Sequence, residues 1–410
     1  CIVTHSAAPV KSLAFLGQGV YNETKSKRAV FFMDEQGKRI KEYVEAHGQE
    51  IIGDLVELTK AQSPTTCKEL ADACGQKIRE LVKERVGIDG TIYPQEKRGD
   101  HMSFTLGEQK EQILMLAHFD TVWDKDALPL RQEGDVLYGP GAYDMKAGLV
   151  SAIWAMKICK ELELPLQKRI CLLCNSDEEV GSGTSQALIE EKARESAAAL
   201  CLEPSQGQTG NLKTARKGTG KYVVTVHGRA AHAGNEPEKG VSALEEAARI
   251  ILFLHSLTDL EKGTTVNVGV THGGTRANIV AAQAEMEIDV RTWTMEEAQR
   301  IDGIIKGLKP SREGITLKVE GDIGRPALEF TPRNQQLFAL AQKTAEEMGL
   351  SVEGAFVGGG SDGNFTSALG IPTLDGLGAV GQGAHAQHEQ VQLSAWLERV
   401  ALLTQLVTRI

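Results

Sequence analysis

Two hydrophobic rhythms are interleaved along this chain, and that interleaving constrains its fold more than any other feature. From about residue 110, short apolar runs alternate with helix-period runs: QILMLA (112–117), MKAGLVSAIWAMKICKEL (145–162), RICLLCN (169–175) and AAALCLE (197–203). Continuous apolar strands of this length are buried on both faces, so helices must cover both sides of their sheet. Around residue 213 the rhythm changes. GKYVVTVHGRA (220–230), TTVNVGVTHGG (264–274) and AAQAEMEIDVRTW (281–293) alternate, helical periods fall at 240–257 and near 295–308, and ITLKVEG (315–321) closes the set. The order β-α-β-β-α-β predicts a ferredoxin-like unit. NQQLFALAQKTAEEMG (334–349) then returns to the first style. We therefore expect an α/β domain of residues 33–212 and 324–410, interrupted by an α+β domain at 213–323.

A length of 410 residues accommodates this division. The net charge of -10 argues against a nucleic-acid or anionic-membrane surface. No window approaches the ~18 uninterrupted apolar residues of a membrane span. Seven cysteines, odd in number and scattered, do not form a disulfide framework. Cys171 and Cys174 make a CxxC inside the strand-like ICLLCN, and read as buried strand cysteines rather than a redox or zinc pair. Residues 1–32 lack both a signal-peptide pattern and the periodicity of the rest of the chain, whereas Met33 opens a patterned helix running to Lys60. We expect the native start near Met33, a disordered or foreign leader before it, and a cytoplasmic address.

Each apolar strand hands polar residues to its C-terminal end, the edge where open α/β sheets build sites. LAHFDTVW sets His118 and Asp120 two apart on one face. Alone, such a pair is ordinary surface chemistry. YGPGAYDMKAG is a tight loop with Asp144 at the start of a helix, a position an N-cap also favours, and its glycines are misplaced for a dinucleotide site. SDEEVGSG sets Asp177, Glu178 and Glu179 side by side, and CLEPS adds Glu203. Carboxylates about 4 Å apart repel by roughly 4 kcal/mol at an effective dielectric near 20, so they must point apart, share a proton or meet a cation. GAHAQHEQV supplies His385, with His388 and Glu389 nearby. His118, Asp144, Glu179, Glu203 and His385 are two imidazoles and three carboxylates from separate strand ends. That set suits two divalent cations bridged by Asp144.

Taken jointly, HFDTV, GPGAYDMKAG, DEEVGS, LEPS, GRAAHAG and GAHAQHEQV resemble the di-zinc metallopeptidases that include carboxypeptidase G, aminoacylase, acetylornithine deacetylase and succinyl-diaminopimelate desuccinylase. The resemblance covers roughly residues 35–410. It implies a mixed-sheet zinc exopeptidase domain with an inserted lid or dimerisation domain, and two zinc ions, with cobalt or manganese as substitutes. One metal would be held by His118 and Glu203 and the other by Glu179 and His385, with Asp144 bridging. Asp120 would orient His118, Glu178 would be the general base, and Asp177 would be structural or solvated. His232 of AHAG, otherwise an ordinary loop histidine, would reach an active site across a dimer or after domain closure to meet the oxyanion. Asn278 would be its companion, although Ala281 stands where many relatives carry proline, leaving that loop less rigid.

The expected reaction is hydrolysis of an amide bond, releasing a C-terminal amino acid, glutamate among the candidates, from a peptide or N-acyl amide. N-acyl-amino-acid deacylation and dipeptide cleavage are the alternatives. Arg291 of DVRT and Arg325 of GRPA are candidate forks for a carboxylate, each of which a surface role would equally explain. GRP resembles the carboxypeptidase G branch. The loop GGGSDGNF (358–365), Gly360 included, could cradle a carboxylate on its backbone N–H groups, or simply turn tightly. A homodimer through the inserted domain is implied by the resemblance. A non-catalytic relative would lack a ligand or the base, and none is missing.

Overall fold

The computed structural model describes residues 34–410, so the expectation for residues 1–32 lies outside the described residues. Helices α1 (Glu35–Ala46), α2 (Gly48–Lys60) and α3 (Lys68–Arg85) lead into strands β1 (Thr91–Tyr93), β2 (His101–Leu106) and β3 (Gln112–His118). Next come α4 (Ala147–Glu161), β4 (Arg169–Asn175), α5 (Gln186–Arg194), β5 (Ser196–Cys201) and β6 (Leu212–Arg216). The second part comprises β7 (Gly218–His227), α6 (Ala243–His255), β8 (Thr265–Gly273), β9 (Gln283–Thr292), α7 (Met295–Lys306) and β10 (Thr316–Arg325). The chain closes with α8 (Pro332–Glu347), β11 (Gly354–Val357), α9 (Gly363–Ala368), β12 (Thr373–Leu374) and α10 (Leu393–Val407).

The main sheet has the order β1-β2-β4-β3-β5-β12. β3 is parallel to both β4 and β5, while β2 runs antiparallel to β4, so the sheet is mixed. β3 lies at its centre with all seven residues buried. Its alternation divides them: Ile113, Met115 and Ala117 enter the large core under α4 and α10, and Leu114 and Leu116 enter a smaller one with Ile189 and Phe365. Covering both faces is what a continuous apolar strand demands.

β7 to β10 form a separate antiparallel sheet, ordered β8-β9-β7-β10, with α6 and α7 packed over a core of its own around Tyr222, Val224, Met286, Ile288 and Ile301. This is the strand order of the ferredoxin-like pattern. Side-chain hydroxyls cap both helices: Ser242 accepts from the Glu245 N–H and Thr294 from the Glu297 N–H.

Two local expectations need correction. The single helix expected over 33–60 is two, broken at His47, and Gly48 just after the break lies so close to α10 that a Cβ there would stand 3.2 Å from Leu397. Asp144 does not cap a helix. Its backbone is extended (φ -114°, ψ 94°), and α4 begins three residues later.

Candidate metal centre

The parallel strands end together, and their ends carry the site. His118 is the last residue of β3, Glu178 and Glu179 come just after β4, and Glu203 just after β5. Asp144 comes from the loop before α4, and His385 from the loop between two short strands, Gly381–Gln382 and Gln390–Gln392. His118, Asp144 and Glu203 each offer a ligand atom, all within 4.8 Å of one another, and Asp144, Glu179 and His385 do the same. His118 Nε2 stands 3.3 Å from Asp144 Oδ1 and 3.6 Å from Glu203 Oε1. His385 Nε2 stands 3.5 Å from Asp144 Oδ2 and 3.1 Å from Glu179 Oε2. Asp144 therefore turns one oxygen to each group. The His385 side chain is 52% exposed while the other four ligand candidates are largely buried, so the site opens on that side.

These donors fit divalent cations. His118 Nδ1 lies 3.0 Å from the Asp120 carbonyl oxygen, and with that nitrogen donating, Nε2 turns a lone pair toward two carboxylates. Asp144 Oδ1 is buried with no hydrogen-bond partner. Three carboxylates and an imidazole lone pair facing inward need positive charge between them. With protein charges alone, burial pushes the Glu203 carboxyl up to about 8 and raises that of Glu179.

Asp120 is buried and ties the site together. It accepts from Thr65 Oγ1 at 2.7 Å and from the backbone N–H groups of Glu178 and Glu179 at 3.3 Å each. Asp177 is not solvated. It is buried and accepts from Ser185 Oγ (2.6 Å) and from the N–H (2.7 Å) and hydroxyl (2.8 Å) of Thr184. The three adjacent carboxylates thus point apart, Asp177 into its own loop, Glu179 to His385 and Glu178 to Arg325.

The substrate candidates lie differently. Arg325 is buried and donates to both the carboxylate and the carbonyl of Glu178. Gly360 lies beside it, and the Gly359 and Gly360 carbonyls accept from Arg216 Nη1. Arg291 is forked onto Asp289 of its own strand at 2.8 and 3.0 Å. His232 is exposed, its Nδ1 accepting from the Gly234 and Asn235 N–H groups, and it neighbours Asn278, whose carbonyl accepts from the Ala233 N–H. Among the described residues no hydrogen bond joins His232, Asn278 or Arg291 to the five converging ligand candidates.

Two features escaped the sequence reading. Glu389 is fully buried and accepts from the backbone N–H groups of Gly141, Tyr143 and Asp144 and from the Trp123 indole. Its place four residues after His385 is the only mark it leaves in the sequence. Arg216, forked by Asp375 at 2.7 and 3.0 Å, stands 3.5 Å from Glu203 Oε2.

A family model described as Peptidase family M20/M25/M40 matches residues 114–409. Carboxypeptidase G2 of Pseudomonas sp. (strain RS-16) is 33% identical over 313 residues, 73% of this chain and 74% of that protein. Among solved structures, the aminopeptidase PepT of Bacillus cereus superposes with a TM-score of 0.73 at 23% identity, covering 88% of this chain and 98% of that one. The Bacillus subtilis YXEP protein, described as a dinuclear metal binding peptidase from the M20 family, superposes with a TM-score of 0.64 at 16% identity, covering 89% and 98%. These structural likenesses bear on the fold.

Proposed function

Because this chain belongs to peptidase family M20/M25/M40 and is a hydrolase of the metallopeptidase kind, we propose that it cleaves an amide bond to release a C-terminal amino acid from a small peptide or N-acyl amino acid. The observation that carries this reading is the pair of three-residue groups sharing Asp144. His118 and Glu203 would hold one divalent cation and Glu179 and His385 the other, with zinc favoured by the mixed nitrogen and oxygen donors and cobalt or manganese as substitutes. When bound, such a pair supplies Lewis acidity and lowers the pKa of water towards 7.

The chain's own residues supply the rest. Asp120 fixes the tautomer of His118 and steadies the backbone of Glu178 and Glu179. Glu178 takes a proton from the attacking water and delivers one to the leaving nitrogen. His232 and Asn278 would meet the developing oxyanion after movement of the inserted unit, or across a dimer. Arg325, with Gly360 beside it, and Arg291 are the proposed contacts for a substrate carboxylate. Both cations are paired, Arg325 with Glu178 and Asp362 and Arg291 with Asp289.

We take the catalytic body as residues 33–212 and 324–410 and the inserted lid as 213–323, in keeping with the separate sheet and core of that segment. Dimerisation through this unit is supported by the unpaired edge of β8 and by exposed Leu244, Leu252, Phe253 and Val270. The six described cysteines are all free, five of them buried, which accords with work in the cytoplasm.

The test is hydrolysis of a panel of dipeptides and N-acyl amino acids, with elemental analysis of the purified protein. We expect metal-dependent cleavage that a chelator abolishes. Glu178→Gln should fold normally, bind metal and lose about 10²–10⁴ in kcat. Full activity in that variant removes Glu178 as the base, and a protein that holds no divalent ion removes the reading altogether. A preference for N-acyl amino acids over dipeptides would identify a deacylase.

A further inference from the structure

Arg325 is the last residue of β10, where the chain leaves the inserted sheet. Its guanidinium reaches into the catalytic edge of the main sheet, where Nη1 donates to Glu178 Oε1. Nη2 donates to the Glu178 carbonyl at 3.0 Å, to Ser182 Oγ at 2.7 Å and to Asp362 Oδ1 at 3.4 Å. Asp362 is held in turn by Asn175 Nδ2 at 2.7 Å and by Ser182 Oγ. Arg325 Nε, by contrast, is buried with no partner at all. Arg325 is 7% exposed overall, and the Glu178 side chain 10%.

This geometry constrains Glu178 in two ways. Arg325 Nη1 occupies Oε1 of Glu178 and Nη2 its carbonyl, so the carboxylate is held toward the guanidinium while the contact lasts. Breaking the contact is also costly, because the buried guanidinium would keep only Asp362, at 3.4 Å, as a counter-charge. An incoming anion resolves both. Resting on the amidohydrolase reading above, we infer that Arg325 caps Glu178 in the resting protein, and that the free C-terminal carboxylate of the substrate uncaps the base by taking the guanidinium, filling the vacant Nε donor as it does so. Specificity for C-terminal free acids would then reside in activation as well as in binding. Asp362 and Ser182 are positioning residues that keep Nη2 anchored while Nη1 changes partner. Gly360 leaves the approach clear, since a Cβ there would stand 3.3 Å from Arg325 Cδ.

The exchange is a competition between two carboxylates for one cation, and calorimetry reads it without turnover. The probes are L-glutamate and its α-amide, which carry no scissile peptide bond, titrated into the metal-loaded protein. The free acid should bind wild type and the amide more weakly. Glu178→Gln, with the competing charge removed, should bind the acid about fivefold tighter or more, the scale of one charge-assisted bond no longer contested. Unchanged or weakened affinity in Glu178→Gln, equal binding of acid and amide, or no binding of the acid to either protein each overturns the cap.

The second measurement uses metal-loaded Arg325→Met with the best panel substrate as free acid and as C-terminal amide. We expect kcat/KM for the acid to fall and that for the amide to rise above wild type, because the base is permanently free. If Arg325 only binds the substrate, amide turnover stays where it was, which rejects the inference and leaves the hydrolase reading intact. A wild-type protein that hydrolyses nothing rejects the hydrolase reading, while the calorimetric competition still reports separately on the cap.

Discussion

Glu389 is a buried carboxylate whose partners are three backbone N–H groups and an indole. Those N–H groups belong to Gly141, Tyr143 and Asp144, so the loop that aims Asp144 is gathered onto one side chain. Burial pushes the Glu389 carboxyl up to about 7 even against these donors, a measure of how enclosed it is. Outer partners of this kind are worth about 10- to 100-fold in metal affinity. Glu389→Gln keeps the shape but puts a donor-only NH2 where one oxygen accepted two bonds and leaves the other two bonds without charge assistance, and should lower the affinity of the metal sites by about that factor, read by competition with a chromogenic chelator. Unchanged affinity would mean that the loop holds its form unaided. The residue was not legible in advance because its partners are main-chain groups, which have no identity in a sequence. His118, Asp144, Glu179, Glu203 and His385 were legible as candidates because few side-chain types can hold a divalent ion, and each comes after a recognisable strand or loop.

Among the elements, α4 shows most clearly how packing sets a local choice. It is apolar almost all round, with twelve of its residues buried between β3, β4 and α10. At Gly148 a Cβ would stand 2.0 Å from the Leu202 carbonyl oxygen, a backbone atom that cannot turn aside. Gly148→Ala should therefore destabilise by about 1–3 kcal/mol or more. Gly53 of α2 has nothing within 4 Å of a Cβ position, and Gly53→Ala should add about 0.5–1 kcal/mol from helix propensity alone. Urea midpoints of the two variants should move in opposite directions. If Gly148→Ala is neutral, the close approach of α4 to the β5 end does not hold in solution. The strands around the site were readable because alternation and continuous apolar runs are local signals. The break at His47 was not, and the side chain that Gly48 meets there, Leu397 of α10, is some 350 residues away in sequence.

For the molecule as a whole, the inserted unit raises the question of assembly. Leu252 is 74% exposed on α6, Leu244 and Phe253 are exposed on the same helix, and β8 is an open edge carrying exposed Val270. The proposed dimer predicts sedimentation of the wild type at twice the chain mass. Leu252→Glu combined with Val270→Lys should shift it to monomer without changing the circular dichroism. A monomeric wild type would leave His232 to reach the site by domain closure alone. Residue types, their spacing and the two hydrophobic rhythms were enough to define the α/β frame, the ferredoxin-like insertion and the candidate ligands, because periodicity and donor chemistry are properties of short segments. Tertiary structure alone decided that Arg325 lies on Glu178, that Glu389 gathers the Asp144 loop, and that Asp177 is enclosed rather than solvated. Those contacts join segments 7 to 248 residues apart, and each is chosen by which buried charge or main-chain group would otherwise go unpaired.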